Sequence, residues 1–139
     1  MIAGGAPNKR GNKRKREHER KTTPNPVENA VCLVLSSPNN KLKELTKSYI
    51  SRIIGISYKN LEISFKKDLG FTLFDFIDRE KLHRAAFILE QDREITFLEM
   101  ADLLGFDDYL NFESRFEKYF LIKPVRYQAI RNHTNLNYE

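Results

Sequence analysis

Thr46-Lys47-Ser48-Tyr49-Ile50-Ser51-Arg52-Ile53-Ile54-Gly55-Ile56-Ser57 and, fifty residues later, Thr96-Phe97-Leu98-Glu99-Met100-Ala101-Asp102-Leu103-Leu104-Gly105-Phe106-Asp107-Asp108 are two versions of one pattern. Each opens on a threonine able to cap a helix, nine residues before a glycine. After the glycine come one apolar residue (Ile56, Phe106) and a second cap (Ser57, Asp107 or Asp108). Ten or eleven residues past each glycine stands Phe-x-Lys: Phe65-Lys66-Lys67 and Phe116-Glu117-Lys118. Two helices that cross steeply need a turn residue tolerant of unusual backbone angles, and an apolar neighbour to anchor that turn. The pattern therefore spells a helix-turn-helix, twice in phase.

Working outward, Leu42, Leu45, Tyr49, Ile50, Ile53 and Ile54 recur at helical spacing from Lys41. Past Ser57, the face Leu61, Phe65 and Leu69 marks a second helix that Gly70 stops. Thr72 with Asp75 opens a long helix to about Glu90, with Phe76, Ile77, Leu82, Ala85, Ala86 and Leu89 inward. Thr96-x-x-Glu99 is a capping box, with Ile95 placed to staple onto Met100. Phe112, Phe116 and Phe120 form the face of the next helix, where their spacing assigns them to the core. Pro124 starts a last helix through about Arg131. Val27–Leu35 fits either a helix face or a strand, and Ser36–Asn40 reads as a loop.

The fold expected is all-α, homeodomain-like, with about seven helices: tandem helix-turn-helix units joined by a long linker helix. Residues 1–26 hold almost no apolar side chain and read as a disordered basic tail. The domain would span 27–139, with a first unit at about 42–70, the linker helix at 72–90, a second unit at about 95–120 and a C-terminal helix at 124–131.

The net charge is +5, but its placement matters more. Residues 1–21 carry eight basic and two acidic side chains, so the remainder is net −1, with 91–139 at −3. The domain itself is not basic. The lone Cys32 cannot pair within the chain, which suits a reducing compartment. No run approaches the roughly 18 apolar residues of a membrane span, and no signal-peptide block is present. His18, His83 and His133 are scattered, no Cys/His spacing fits a metal, and no Gly-rich phosphate loop exists. The sequence thus points away from an enzyme, a cofactor, a catalytic residue or a metal.

From about 42 to 131 the chain resembles the DNA-binding domain of the AraC/XylS family of bacterial transcription regulators. Gly55-Ile56-Ser57-x-x-x-Leu61-x-x-x-Phe65-Lys66-Lys67-x-Leu69-Gly70 is similar to the family's first unit, and Lys81-Leu82-x-x-Ala85-x-x-x-Leu89 to its linker helix. Ile95-x-x-x-x-Met100-Ala101-x-x-x-Gly105-Phe106-Asp107-Asp108-x-x-x-Phe112-x-x-x-Phe116-x-Lys118, then Pro124-x-x-Tyr127, resembles the second. The resemblance implies double-stranded DNA as partner, with both recognition helices in successive major grooves about 34 Å apart. It further implies a cytoplasmic protein of the bacterial nucleoid, a monomer or weak dimer, an activator by family habit, with RNA polymerase as a candidate protein partner. An effector-binding domain finds no room in 139 residues, so control by amount, as in the family's single-domain members, is the expectation.

In the first recognition helix the outward positions are Tyr58, Lys59, Asn60, Glu62, Ile63, Lys66 and Lys67, behind the cap Ser57. By match to the family, Lys59, Glu62 and Ile63 lie where base edges are read, and Lys66 and Lys67 near phosphate. Lysine suits guanine, glutamate cytosine, and isoleucine a thymine methyl; the plain alternative is a solvated helix face. Thr46 and Thr96 begin helices whose free N–H groups can hold a phosphate. The second unit departs from the pattern: Glu113 and Ser114 stand where relatives show Ser-Arg, and Glu117 where they show a basic residue. With Asp107 and Asp108 its helix is net acidic, offset by Arg115 and Lys118. Tyr109, Leu110, Glu113, Ser114 and Arg115 are its candidate contacts. Either Glu113 reads a cytosine or this helix scarcely engages a groove. Lys9, Arg10, Lys13, Arg14, Lys15 and Arg16 form an arm able to track phosphates without sequence preference. Two other functions compete: a protein-interaction module contacting RNA polymerase or another regulator, and a tail-driven non-specific nucleic-acid binder.

Overall fold

The computed structural model describes residues 25–91 and 94–138. Among them are seven α-helices, one 3₁₀ helix and no strand. The α-helices are α1 (Pro26–Ser36), α2 (Lys47–Ile54), α3 (Tyr58–Leu69), α4 (Leu73–Gln91), α5 (Phe97–Leu104), α6 (Tyr109–Phe120) and α7 (Pro124–Tyr138), with the 3₁₀ helix at Asn39–Glu44.

Val27–Leu35 is helical despite its β-branched residues. The Asn25 side chain accepts from the Glu28 N–H at 2.8 Å, Pro26 enters the first turn, and Val27, Ala30 and Val34 share one buried face. The segment expected to be tail therefore ends at its own helix cap. Burial along that face outweighs a modest propensity deficit. No basic residue stands in the last turn of α1; Arg84 of α4 serves its carbonyls instead. The guanidinium donates to Ser37 O at 2.5 Å, Leu35 O at 3.2 Å and Val34 O at 3.3 Å, and pairs with Glu80 at 2.9 Å.

The periodic stretch from Lys41 is two elements, not one helix. Leu42 is buried from the 3₁₀ turn, and the chain restarts at Thr46, whose hydroxyl accepts from Tyr49 N–H at 3.2 Å. A strong N-cap inside an apolar period divides it. The last helix runs to Tyr138, past Arg131, because nothing from Asn132 onward is a glycine or proline stop. The core joins every helix up to α6: Phe65, Phe112 and Phe116 are fully buried with Leu61, Leu73, Leu89, Met100 and Leu104. Each such phenylalanine contributes about 2–3 kcal/mol by burial alone. Phe120 is partly buried against them, as its spacing required.

Candidate nucleic-acid interface

The first unit is α2, turn and α3. Gly55 closes α2 at φ 90°, and Ser51 locks the turn by donating its hydroxyl proton to Ile56 O at 2.6 Å. Ser57 caps α3 through Asn60 N–H at 3.2 Å. With Leu61 and Phe65 buried, the opposite side of α3 presents Lys59, Asn60, Ile63, Lys66 and Lys67, all exposed; Ile63 keeps 59% of its surface in solvent.

Two outward positions turn out otherwise. The Glu62 carboxylate accepts from the Leu73 backbone N–H at 2.7 Å, so it caps the linker helix rather than facing outward. An acceptor-only side chain within reach of unpaired helix-start donors takes that bond in preference to solvent. Tyr58 lies half-buried beside it with Lys47 Nζ 5.6 Å over its ring. Burial first, then Glu62's charge and hydrogen bond, push the Tyr58 phenol up to about 12.

The second unit is α5, turn and α6. Thr96 and Glu99 complete the capping box in both directions, at 3.0 and 2.9 Å. Gly105 turns at φ 84°, Phe106 is buried as the plug, and Asp108, rather than Asp107, caps α6 through Asn111 N–H at 2.7 Å. Leu110 is 69% exposed and Ser114 is exposed. The Tyr109 ring stacks on Phe97, and its hydroxyl donates to Glu113 Oε2 at 3.1 Å. Burial, the hydrogen bond and the charge of Glu113 all raise the Tyr109 phenol, which keeps its proton and remains a donor. Arg115, its side chain still 37% exposed, is drawn to an ion pair with Asp78 of the linker helix rather than standing free on the outer face of α6. A half-buried carboxylate on α4 holds the guanidinium more firmly than water does.

Contacts also tie the units to each other. The 3₁₀ helix ahead of the first unit packs on α5 of the second. Lys81 of α4 donates to Gly105 O at 3.1 Å and lies 5.6 Å over the Phe106 ring. Desolvation lowers the Lys81 ammonium pKa, with Arg115 adding to it and the Asp78 and Asp107 carboxylates opposing. At the far end, Tyr127 donates to Glu90 at 2.5 Å and Arg131 pairs with the same carboxylate at 3.0 Å, fastening α7 to the linker helix. Burial followed by the Glu90 hydrogen bond pushes the Tyr127 phenol up to about 12. Sequence reasoning did not find the bond of Lys81 to the Gly105 turn, the cap made by Glu62 or the pairing of Arg115 with Asp78, because each contact spans 11 to 37 residues. Tyr109 and Glu113, at i and i+4, were recoverable from helical geometry.

His83 is exposed and bonds Tyr119 at 2.9 Å. Among the described residues no group of metal-ligating side chains converges, and no helix is long and apolar enough to cross a membrane. The arm residues Lys9, Arg10, Lys13, Arg14, Lys15 and Arg16, with His18, lie outside the described residues.

Two capped helix pairs, each with a left-handed glycine turn and a plug, joined by a 19-residue helix, define a tandem helix-turn-helix domain. A crystal structure of a Chromobacterium violaceum transcriptional regulator, described as AraC-type DNA-binding domain-containing, superposes with TM-score 0.67 at 26% identity, covering 76% of this chain and 91% of that one. The C-terminal domain of the two-component response regulator YesN from Fusobacterium nucleatum does so at 0.64 and 28%, covering 73% and 95%. The transcriptional regulatory protein HptR of Staphylococcus aureus is 30% identical over 84 residues, which cover 60% of this chain and 32% of HptR. The chain thus spans about a third of that regulator's length. No protein-family model matches the chain. The domain has the fold of AraC-type DNA-binding domains, which it also resembles in sequence.

Proposed function

We propose that this chain is a sequence-specific DNA-binding transcription regulator that sets α3 and α6 into successive major grooves. The observation carrying this reading is the exposed face of α3, where Lys59, Asn60, Ile63, Lys66 and Lys67 stand together on a helix capped at Ser57 and backed by fully buried Leu61 and Phe65. Lys59 supplies donors for guanine and Ile63 an apolar surface for a thymine methyl, while Lys66 and Lys67 in the last turn neutralise phosphates. With Glu62 spent as a cap, base reading by this unit falls to Lys59, Asn60 and Ile63. The capped starts of α2 and α5, at Thr46 and Thr96, add backbone N–H groups for phosphate. The basic arm at Lys9–Arg16 adds affinity without preference.

Selection of bound duplexes from a random pool tests this, with the whole chain and with residues 1–21 removed. The expected result is one enriched sequence in both, with weaker binding and a shallower salt dependence after removal. Lys59→Ala or Ile63→Ala should change the preferred base at one position each, whereas Lys66→Ala should weaken all sequences alike. Equal losses on every sequence for all three variants would remove the readout claim. Activation, and RNA polymerase as a partner, are proposed on family likeness. The exposed Asp107, Asp108 and Glu117 favour a second reading, in which the second unit faces a protein; no duplex enrichment in either form would support it.

A further inference from the structure

We propose that Glu113 is a cytosine-reading residue, aimed by Tyr109, so that the second unit contributes selectivity through a carboxylate rather than through a cation. This rests on the DNA-binding reading above and adds the base chemistry that the second unit recognises.

Glu113 lies one residue beyond buried Phe112 on α6, and Leu110 and Ser114 flank it on the exposed side. Its Oε2 is occupied by the Tyr109 hydroxyl at 3.1 Å, and the Tyr109 ring is itself pinned against Phe97 and Phe112. That bond restricts the rotamers of the carboxylate and leaves Oε1 as an acceptor. Arg115, the nearest cation on α6, is paired with Asp78, so it does not neutralise Glu113. Leu110, 69% exposed one turn earlier, gives the carboxylate an apolar neighbour that strengthens any hydrogen bond formed beside it.

An ionised carboxylate can only accept. In the major groove the amino donors are cytosine N4 and adenine N6. In the duplex, adenine N6 lies between two acceptors, its own N7 and thymine O4, which repel a carboxylate from both sides; cytosine N4 has guanine O6 on one side only and the C5–H edge on the other. A carboxylate among phosphates that meets no donor costs binding energy, so pairs lacking an amino group at this position are rejected as well as cytosine preferred.

The test is selection from a random duplex pool with the whole chain, wild type and variants, followed by binding titrations on the enriched duplex. Wild type should enrich a cytosine at one fixed position. Replacing that cytosine by 2-pyrimidinone, which lacks the amino group, should weaken binding about 10-fold. Glu113→Gln should move the preference at that position from cytosine to adenine, because an amide matches the N6/N7 pair. Tyr109→Phe should keep cytosine first but shrink its advantage a few-fold. The first unit's enriched bases, unchanged in every variant, report that the domain is folded. If those bases are enriched but Glu113→Gln leaves the whole preference as in wild type, or the 2-pyrimidinone duplex binds equally well, the inference fails and the DNA-binding reading stands. If wild type enriches no sequence, both fail.

Discussion

Gly55 and Gly105 occupy the same place in the two units, at φ 90° and 84°, yet their surroundings differ. A Cβ built on Gly55 meets nothing within 4 Å; one on Gly105 would lie 2.4 Å from Lys43 Cβ and 3.0 Å from its Cα. The first turn needs glycine only for its backbone angle. The second needs it also for close packing, since the 3₁₀ helix that precedes the first unit lies against it. Lys81 holds the same turn from the linker helix. The contrast teaches that the second turn is held from outside, by the 3₁₀ helix and Lys81, while the first turn stands clear and its unit is braced by α1, which packs on both α2 and α3, and by Glu62.

Three measurements press on that contrast. Gly105→Ala adds left-handed strain to a clash with backbone, and should cost roughly 3 kcal/mol in urea unfolding, against about 1 kcal/mol for Gly55→Ala. Equal costs would mean that the 3₁₀ helix does not hold the second turn. Next come the two glutamates. Glu62→Ala leaves the Leu73 N–H without its acceptor, although Thr72 still caps α4 through Asp75 N–H, and should lose about 1 kcal/mol of stability with base preference unchanged, whereas Glu113→Ala should stay within about 0.5 kcal/mol and change preference. A stability loss shared by both, with no change in preference, would erase the division of labour between the carboxylates.

The smallest effect concerns how the recognition helices end. Gly70 closes α3 at φ 85°, but Leu121 closes α6 at φ 65° and is 86% exposed. Left-handed strain there costs a leucine about 1–2 kcal/mol, partly offset by the extra chain entropy a glycine would lose. Leu121→Gly should therefore raise stability by about 0.5 kcal/mol, read as a small increase in Tm. A decrease would show that the exposed leucine is held by contacts of its own.

Much of this domain was legible in the residues because the signals are local. Thr46, Ser57, Thr96 and Asp108 each cap within three residues, the positive φ of Gly55 and of Gly105 is enough by itself to call for glycine at each turn, and Phe65, Phe112 and Phe116 share helical faces. Boundaries went astray where a local rule met an unseen neighbour. The period through Leu42 and Leu45 ran across a cap, and Val27–Leu35 settled as a helix once Arg84, some fifty residues away, was there to satisfy its last carbonyls.

Taken alone, the sequence determined two helix-turn-helix units, the linker between them and the charge imbalance that sets them apart. Those follow from caps, glycines and apolar spacing, which act over one or two helical turns. Which charged side chains remain available to a ligand was decided only by the tertiary structure. Glu62 and Arg115 look outward on a helical wheel, but a backbone N–H at Leu73 and a carboxylate at Asp78 compete with solvent for them and win. Those competitors reach them from the linker helix, and only the folded chain brings them within bonding distance.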